Sequence, residues 1–184
     1  AGLVAAPKLP WGWLQPGGGS LDVAPRGLGI RARGRDRPRL GGASIILAPG
    51  GSVEDAQARA RTVSESGATV MQATPTLWQT LMADGGDRLG DIKGLAMLTG
   101  GEPLPGELAR TLAARGRGLT NLYGPTETTI WSAVLTLDDM ALDAESPPIG
   151  RPIWNTRTCV LAGGWEAVPS GFVGELCVAG GGVG

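Results

Sequence analysis

Short apolar segments alternate with amphipathic segments of helical length along the chain from Leu40 onward. Residues 44–47, 69–71, 95–98 and 119–122 have the length and composition of buried strands, and helices are predicted between them. Strands that alternate with helices pair in parallel, with the helices packed on the sheet. The chain is therefore predicted to be an α/β protein: a mostly parallel sheet with flanking helices, followed by shorter β segments toward the C-terminus.

The predicted helices have recognisable end signals. Ser52 is placed to cap the first helix, Glu54 and Asp55 lie in its first turn, and Gly67 follows its last turn. The next two helices are predicted over 76–82 and 105–115. Shorter β segments are expected around 163–164 and over 175–179.

The first 39 residues do not share this pattern, so the chain is divided into a poorly matching segment, 1–39, and the α/β segment, 40–184. Residues 5–39 contain a glycine triplet and six arginines with little acid nearby, and no helix or strand is predicted there. Such a composition is typical of a solvated or disordered tail. An arm that binds nucleic acid is the alternative.

Charge balance and residue usage exclude several classes of function. Sixteen Lys and Arg oppose 17 Asp and Glu, so no overall basic field attracts nucleic acid or anionic lipid. The chain has no His, which excludes Ser-His-Asp and Cys-His catalytic groups and His-ligated metals within it. Cys159 and Cys177 lack metal-ligand spacing and are predicted to be reduced thiols in the core. No apolar run approaches about 20 residues and no signal peptide is evident, so a cytoplasmic protein with no membrane or nucleic-acid partner is predicted.

Two polar loops follow predicted strands and are expected to face one cleft, because ligands bind beyond the carboxyl ends of strands in open α/β sheets. The first is 99–102, where two glycines allow close approach to the backbone. In the second, 123–128, Tyr123 offers a flat face to a base, Thr126 a hydroxyl to a phosphate oxygen, and Glu127 a hard oxygen to Mg²⁺. A helix that begins with a capping residue after the Gly-Pro turn explains the same residues equally well.

Residues 121–129, Asn-Leu-Tyr-Gly-Pro-Thr-Glu-Thr-Thr, resemble the NxYGPTE signature of the adenylation domains of nonribosomal peptide synthetases, members of the adenylate-forming enzyme superfamily. Segments 72–76, 98–102, 148–156 and 174–180 are similar to further family segments, in family order. The resemblance covers 40–184 and implies part of the large N-terminal subdomain of that fold. It implies that Tyr123 stacks on adenine, Asn121 contacts the base edge, Thr126 meets the α-phosphate and Glu127 holds Mg²⁺. The catalytic pair is then Thr126 and Glu127, and the implied nucleotide-binding set is Gly100, Gly101, Glu102, Asn121, Tyr123, Gly124 and Thr126.

The reaction that the resemblance implies is attack by an amino-acid carboxylate on the α-phosphorus of ATP, which gives aminoacyl-AMP and pyrophosphate. In the family, the aminoacyl group then passes to the phosphopantetheine thiol of a carrier protein. Peptidyl carrier and condensation domains of a parent synthetase are therefore the implied partners. Such catalysis depends on positioning and charge neutralisation and needs no nucleophilic side chain.

The family positions that line the amino-acid pocket carry mostly bulky side chains in this chain. Trp131, Leu122 and Ile130 are expected to fill the space that a substrate side chain would occupy. Glycine is the predicted substrate, ahead of alanine, serine and cysteine, because a pocket selects glycine by excluding larger side chains. An ordinary core role for Trp131 is the alternative. The implied pocket residues are Gln72, Leu98, Gly100, Leu122, Ile130 and Trp131.

Several family segments have no counterpart in the chain. The phosphate loop that ends in Lys, the ribose-binding Asp segment and the C-terminal subdomain with its catalytic Lys are not found, so the isolated chain is expected to show no adenylation. The Phe-Asp segment, whose Asp binds the substrate ammonium group, also has no match, because the first Phe is Phe172. Residues 1–4 resemble a family helix, so family-like sequence flanks the poorly matching stretch on both sides. A reading-frame slip between about Val4 and Leu40 is a further hypothesis for that stretch. Translation of the coding DNA in the other two frames tests it.

Two other functions compete with amino-acid activation. Another acyl or aryl adenylate-forming ligase would share the fold and the nucleotide loop, although segment 148–156 and the polar Gln72 favour the peptide-synthetase branch. A noncatalytic remnant would keep the fold and bind nucleotide weakly. The sequence identifies neither a peptide product nor an oligomeric state.

Overall fold

The structure is a computed structural model that describes residues 19–22, 43–47, 55–85 and 92–184. Its main sheet contains β1 (Gly19–Asp22), β2 (Ser44–Leu47), β3 (Val70–Ala73), β4 (Ala96–Gly100), β5 (Gly118–Tyr123), β6 (Ala133–Thr136) and β7 (Arg151–Pro152). Across the sheet the order is β2-β1-β3-β4-β5-β6-β7. Strands β1 to β5 are parallel, whereas β6 and β7 each run antiparallel to the preceding strand. The predicted α/β fold with a mostly parallel sheet is confirmed.

Helices connect the parallel strands, as the alternating pattern predicts. They are α1 (Ala56–Glu65), α2 (Pro75–Gly85) and α3 (Gly106–Arg115), and a short helix α4 (Asp139–Leu142) lies between the antiparallel strands β6 and β7. Asp55 caps α1 by accepting a 2.9 Å hydrogen bond from the Gln57 amide, so its predicted place in the first turn is wrong by one position. Its extended backbone, with φ −103° and ψ 110°, is what keeps it outside the helix. Ser52 and Glu54 lie outside the described residues.

The first hydrophobic core lies between the sheet and its helices. Met71, Met97 and Leu119 project from β3, β4 and β5 and pack against the buried side chains of Trp78 and Leu112 on α2 and α3. The Trp78 Nε1 group donates a 3.2 Å hydrogen bond to the Leu98 carbonyl, which satisfies the polar atom of a fully buried indole. Helix α2 is longer than predicted at both ends.

A second core lies on the opposite face of the same strands. Successive residues of a strand point to opposite faces, so Leu98 and Leu122 project away from the neighbours that pack on the helices. With Trp131 they belong to one buried cluster, which is Val70, Ala96, Leu98, Leu122, Trp131 and Val134. Ile130 and Ile153 pack against it. The sheet is therefore covered on both faces in its middle.

Strand β1 lies between β2 and β3, in a stretch where no strand is predicted from the sequence. The Thr69 amide donates a 2.8 Å hydrogen bond to the Gly19 carbonyl. Gly19 is buried, and a Cβ there would lie 2.7 Å from the Ile46 Cδ1 atom. Glycine thus allows β2 to pack closely on this strand. The strand ends at Asp22, at the same sheet edge where β3, β4 and β5 end.

Strands β8 (Thr156–Leu161) and β9 (Glu175–Gly180) form a separate antiparallel pair, in which Cys159 faces Cys177. Both cysteines are free, but Cys159 is exposed, so its predicted place in the core is wrong. Desolvation, reinforced by the Cys159 thiol and the Glu175 carboxylate, raises the pKa of Cys177. Within the described ranges, no helix is long and apolar enough to cross a membrane.

Candidate functional site

The carboxyl ends of β4 and β5 lie side by side, and the loops that follow them line a pocket of ≈ 380 Å³. Gly101 and Glu102 come from the first loop, and Asn121, Tyr123 and Gly124 come from β5 and its turn. The lining is completed by Pro103, Leu104, Leu122, Pro125, Ser146, Pro147 and Ile149. The two loops that the sequence singles out therefore do face one cleft.

Asn121 and Tyr123 are presented to the pocket by the alternation of β5. Asn121 is buried, and its Nδ2 group donates a 3.0 Å hydrogen bond to the Pro148 carbonyl. This bond ties the end of β5 to the segment that forms the opposite wall of the pocket. Tyr123 is half-buried in the lining, so its ring presents both an apolar face and a hydroxyl to a ligand.

Glu102 sits at the pocket rim and is tied to the start of α2. Its carboxylate accepts hydrogen bonds from the Thr76 hydroxyl at 2.6 Å and the Thr76 amide at 3.0 Å. Burial raises its pKa, but the hydrogen bonds from Thr76 and from the Thr74 hydroxyl outweigh this effect and hold the pKa below its ordinary value. Glu102 is therefore a carboxylate that fixes the loop after β4 to α2, besides lining the pocket.

The turn after β5 does not use its polar side chains as caps. Thr126–Thr128 form a single 3-10 turn whose cap position is Pro125, and no side chain makes a capping hydrogen bond. Thr126 and Glu127 are exposed. The alternative in which these residues only start a capped helix is therefore not what the structure shows.

The backbone after this turn is strained. Thr129 has φ 58° and ψ 60°, and Ile130 has φ 79°. The Trp131 amide donates a 3.1 Å hydrogen bond to the Thr129 carbonyl, which makes Ile130 the centre of a γ-turn with positive φ. β-branched residues rarely adopt positive φ, and each such residue costs of order 1–3 kcal/mol.

The strained turn carries Trp131 onto the face of the sheet where Leu98 and Leu122 lie. A Cβ at Gly100 would lie 2.7 and 2.8 Å from two carbon atoms of the Trp131 ring and 2.3 Å from the Leu122 carbonyl oxygen. The indole therefore rests directly on the glycine. Gln72 is in register with Leu98 on the neighbouring strand, so all six predicted pocket residues lie on or beside this face.

The predicted nucleotide and amino-acid residues lie on neighbouring parts of the sheet. Asn121 and Tyr123 line the pocket at the edge, whereas Leu122, between them, lines that pocket and also belongs to the second core. The single loop from Gly124 to Trp131 connects the two regions. Sequence reasoning missed the strand Gly19–Asp22, because four residues without an apolar run give no strand signal.

Residues 38–184 match the family of AMP-binding enzymes. The chain belongs to this family. The resemblance to the adenylation domains of nonribosomal peptide synthetases is confirmed by curated relatives. A dimodular nonribosomal peptide synthase of Bacillus subtilis is 44% identical over 146 residues, which cover 79% of this chain and 6% of that protein. The AMB antimetabolite synthetase AmbB of Pseudomonas aeruginosa is 39% identical over 116 residues, or 61% of this chain and 9% of that protein.

Solved structures of AMP-binding enzymes share the fold. A four-domain nonribosomal peptide synthetase bound to AMP and glycine superposes with a TM-score of 0.82 at 30% identity, over 92% of this chain and 12% of that one. A nonribosomal peptide synthetase protein with adenylation and PCP domains, bound to a vinylsulfonamide inhibitor, gives a TM-score of 0.81 at 27% identity, over 92% and 30% of the two chains. The chain thus spans less than a tenth of the length of the curated relatives named above.

Proposed function

We propose that this chain contributes the nucleotide pocket and the amino-acid pocket of a peptide-synthetase adenylation site. The reaction joins an amino-acid carboxylate to the α-phosphorus of ATP, releases pyrophosphate, and prepares the aminoacyl group for the phosphopantetheine thiol of a carrier protein. The observation that carries the proposal is the loop from Gly124 to Trp131. It joins the edge pocket, which Gly124 and Pro125 line, to a buried apolar face, and it carries the exposed side chains of Thr126 and Glu127.

The edge pocket suits a purine nucleotide. Tyr123 supplies an aromatic face for the base, and the buried amide of Asn121, one of whose N–H groups is bonded to Pro148, supplies its other donor and its acceptor for the base edge. The hydroxyl of Thr126 lies one turn farther along the chain, where it would meet the α-phosphate. Gly101 has φ 87°, a conformation that keeps the first loop close against the pocket without a side chain in the way.

Glu127 fits the way proteins hold Mg²⁺ beside a nucleotide, through one or two carboxylates together with substrate phosphates and water. Its carboxylate is exposed, and no described residue is hydrogen-bonded or paired to it. The described residues contain no group of three His, Cys, Asp or Glu side chains that would hold a metal by themselves. When bound, Mg²⁺ would neutralise phosphate charge, and Glu127 would hold it in place.

Glycine is the proposed amino acid because Trp131 occupies the space above Gly100. The indole is buried among Leu98, Leu122 and Ile130, so it cannot swing aside without opening the second core. A substrate side chain in this region would meet the ring, and the cost of such overlap is typically about 1–3 kcal/mol. One structural neighbour was solved with AMP and glycine, which agrees with this proposal.

Nucleotide titration tests the site on the chain itself. Saturable, Mg²⁺-dependent binding of ATP that Glu127→Gln weakens about tenfold is expected, since hydrogen bonds and contacts to charged groups contribute about 1.5–3 kcal/mol. Glu166→Gln, an exposed carboxylate in the β8–β9 connection, is the matched control and should bind like the parent. Binding that is indifferent to Glu127→Gln would favour the noncatalytic remnant.

Exchange of labelled pyrophosphate into ATP tests the substrate, measured on the chain within its natural flanking sequence. Exchange is expected with glycine, and much less with alanine, serine or cysteine. Exchange that depends on an acyl or aryl acid instead of an amino acid would establish the other class of adenylate-forming ligase.

A further inference from the structure

The segment that follows β9 is hydrogen-bonded to the strained loop. The Thr129 hydroxyl donates a 2.6 Å hydrogen bond to the Gly182 carbonyl, 53 residues away in the sequence. The Gly184 amide donates a 2.9 Å hydrogen bond to the Glu127 carbonyl. These two bonds are made at Glu127 and at Thr129, the first residue with left-handed backbone, and they join the end of the β8–β9 pair to the middle of the loop.

The approach of the two segments requires glycine on the β9 side. A Cβ at Gly182 would lie 3.0 Å from the Thr128 carbonyl oxygen, which is tighter than an ordinary contact. Gly180 has φ 141°, and a Cβ there would lie 2.0 Å from the Asn155 carbonyl oxygen. The chain can therefore turn at Gly180 and pass close enough for the carbonyl of Gly182 to face Thr129.

Other contacts also support the loop, among them a 3.0 Å hydrogen bond from the Ile153 amide to the Ser132 carbonyl. The Thr128 and Ser132 hydroxyls hydrogen-bond to each other, and the Ser132 amide donates a 2.7 Å hydrogen bond to the Tyr123 carbonyl. These contacts hold the two ends of the loop together, at Tyr123 and Ser132. Among the described residues, the hydrogen bond of the Thr129 hydroxyl is the one to Gly182.

We infer that Thr129 is a positioning residue. Its hydroxyl, bonded to the Gly182 carbonyl, holds the left-handed backbone of Thr129 and Ile130, and this backbone conformation keeps Trp131 over Gly100. Its consequence, which rests on the proposed function, is that amino-acid selectivity depends on the segment after β9. When the hydroxyl is absent, the backbone of Thr129 and Ile130 relaxes toward ordinary angles and Trp131 moves away from Gly100. The pocket then admits a methyl group.

The spectroscopic test uses this chain labelled with 5-fluorotryptophan and ¹⁹F NMR. The Trp131 resonance is assigned by its loss in Trp131→Phe. In Thr129→Val, which keeps the β-branched shape but lacks the hydroxyl, the resonance is expected to shift or broaden. In Thr129→Ser, which keeps the hydroxyl, it should stay at the parent position. A Thr129→Val resonance that coincides with that of the parent would overturn the inference.

Thr129→Gly separates the loss of the hydroxyl from the strain of the left-handed backbone. Glycine adopts positive φ without strain, so this variant should fold and keep the left-handed backbone although it lacks the hydroxyl. The Trp131 resonance is therefore expected to stay close to the parent position. A resonance altered as in Thr129→Val would show that the position of Trp131 does not depend on the backbone strain at residue 129, and would overturn the inference.

The functional test is the ratio of kcat/KM for glycine to kcat/KM for alanine in pyrophosphate exchange, measured on the chain within its natural flanking sequence. Thr129→Val is expected to lower this ratio about fivefold, the factor that corresponds to one net hydrogen bond. Thr129→Ser should restore it. No exchange with any amino acid in the unaltered protein would remove the proposed function, whereas the NMR result would still decide whether Thr129 positions Trp131.

Discussion

Replacement of Gly100 by alanine tests the contact on which the small amino-acid pocket depends. The added Cβ would lie 2.3 Å from the Leu122 carbonyl oxygen and 2.7 and 2.8 Å from the Trp131 ring. The ring can move by some tenths of an ångström, but the carbonyl belongs to β5, which is paired to β4 in register with this residue. Gly100→Ala is therefore expected to lower the free energy of unfolding by about 1–3 kcal/mol.

Urea unfolding followed by circular dichroism measures this loss. With an m-value of about 2 kcal/mol/M, the midpoint should fall by about 0.5–1.5 M. Gly163→Ala is the matched control, because a Cβ at Gly163 meets nothing within 4 Å, and its midpoint should stay close to that of the parent. A Gly100→Ala midpoint equal to that of Gly163→Ala would refute the packing of Trp131 and β5 on Gly100.

A double-mutant cycle separates the two contacts at Gly100. In a Trp131→Leu background the ring contact is gone but the Leu122 carbonyl remains, so Gly100→Ala should cost less than in the parent, and still more than zero. The difference between the two costs is the coupling of Gly100 to Trp131, and pairs in contact typically show about 0.5–3 kcal/mol. A coupling near zero would mean that the clash comes from the backbone alone.

Two further predictions concern stability and can be checked by urea unfolding of this chain. The Glu102 pKa lies below its ordinary value of 4.5, so the hydrogen bonds from Thr76 to the ionised carboxylate stabilise the fold at higher pH, and this stability is lost as the pH falls through the lowered pKa. The difference in free energy of unfolding between Glu102→Gln and the parent should therefore shrink on acidification. A difference that does not depend on pH would contradict this prediction. The Thr99 hydroxyl is buried and has no hydrogen-bond partner among the described residues. Thr99→Val removes this unpaired polar group and should raise the free energy of unfolding by about 1–3 kcal/mol. A loss of stability would show that the hydroxyl has a partner.

Much of the fold could be predicted from local sequence alone. The strands at 44–47, 69–71, 95–98 and 119–122 carry runs of apolar residues, and each was found within about two residues of its predicted ends. Parallel strands end at one edge, so the sequence also predicts that the loops after β4 and β5 meet. The family followed from motifs that occur in a fixed order.

Local sequence is therefore enough to predict the alternation of strands and helices, the family and the meeting of two polar loops at one sheet edge. The tertiary structure alone decided the strand at Gly19–Asp22, which is ordered by β2 and β3 on either side and not by its own four residues. It also decided the left-handed corner at Thr129, which no local propensity favours and which is fixed to Gly182 from the far end of the chain. Conformations that are costly locally persist only where distant contacts stabilise them, and such contacts are visible only once the chain is folded.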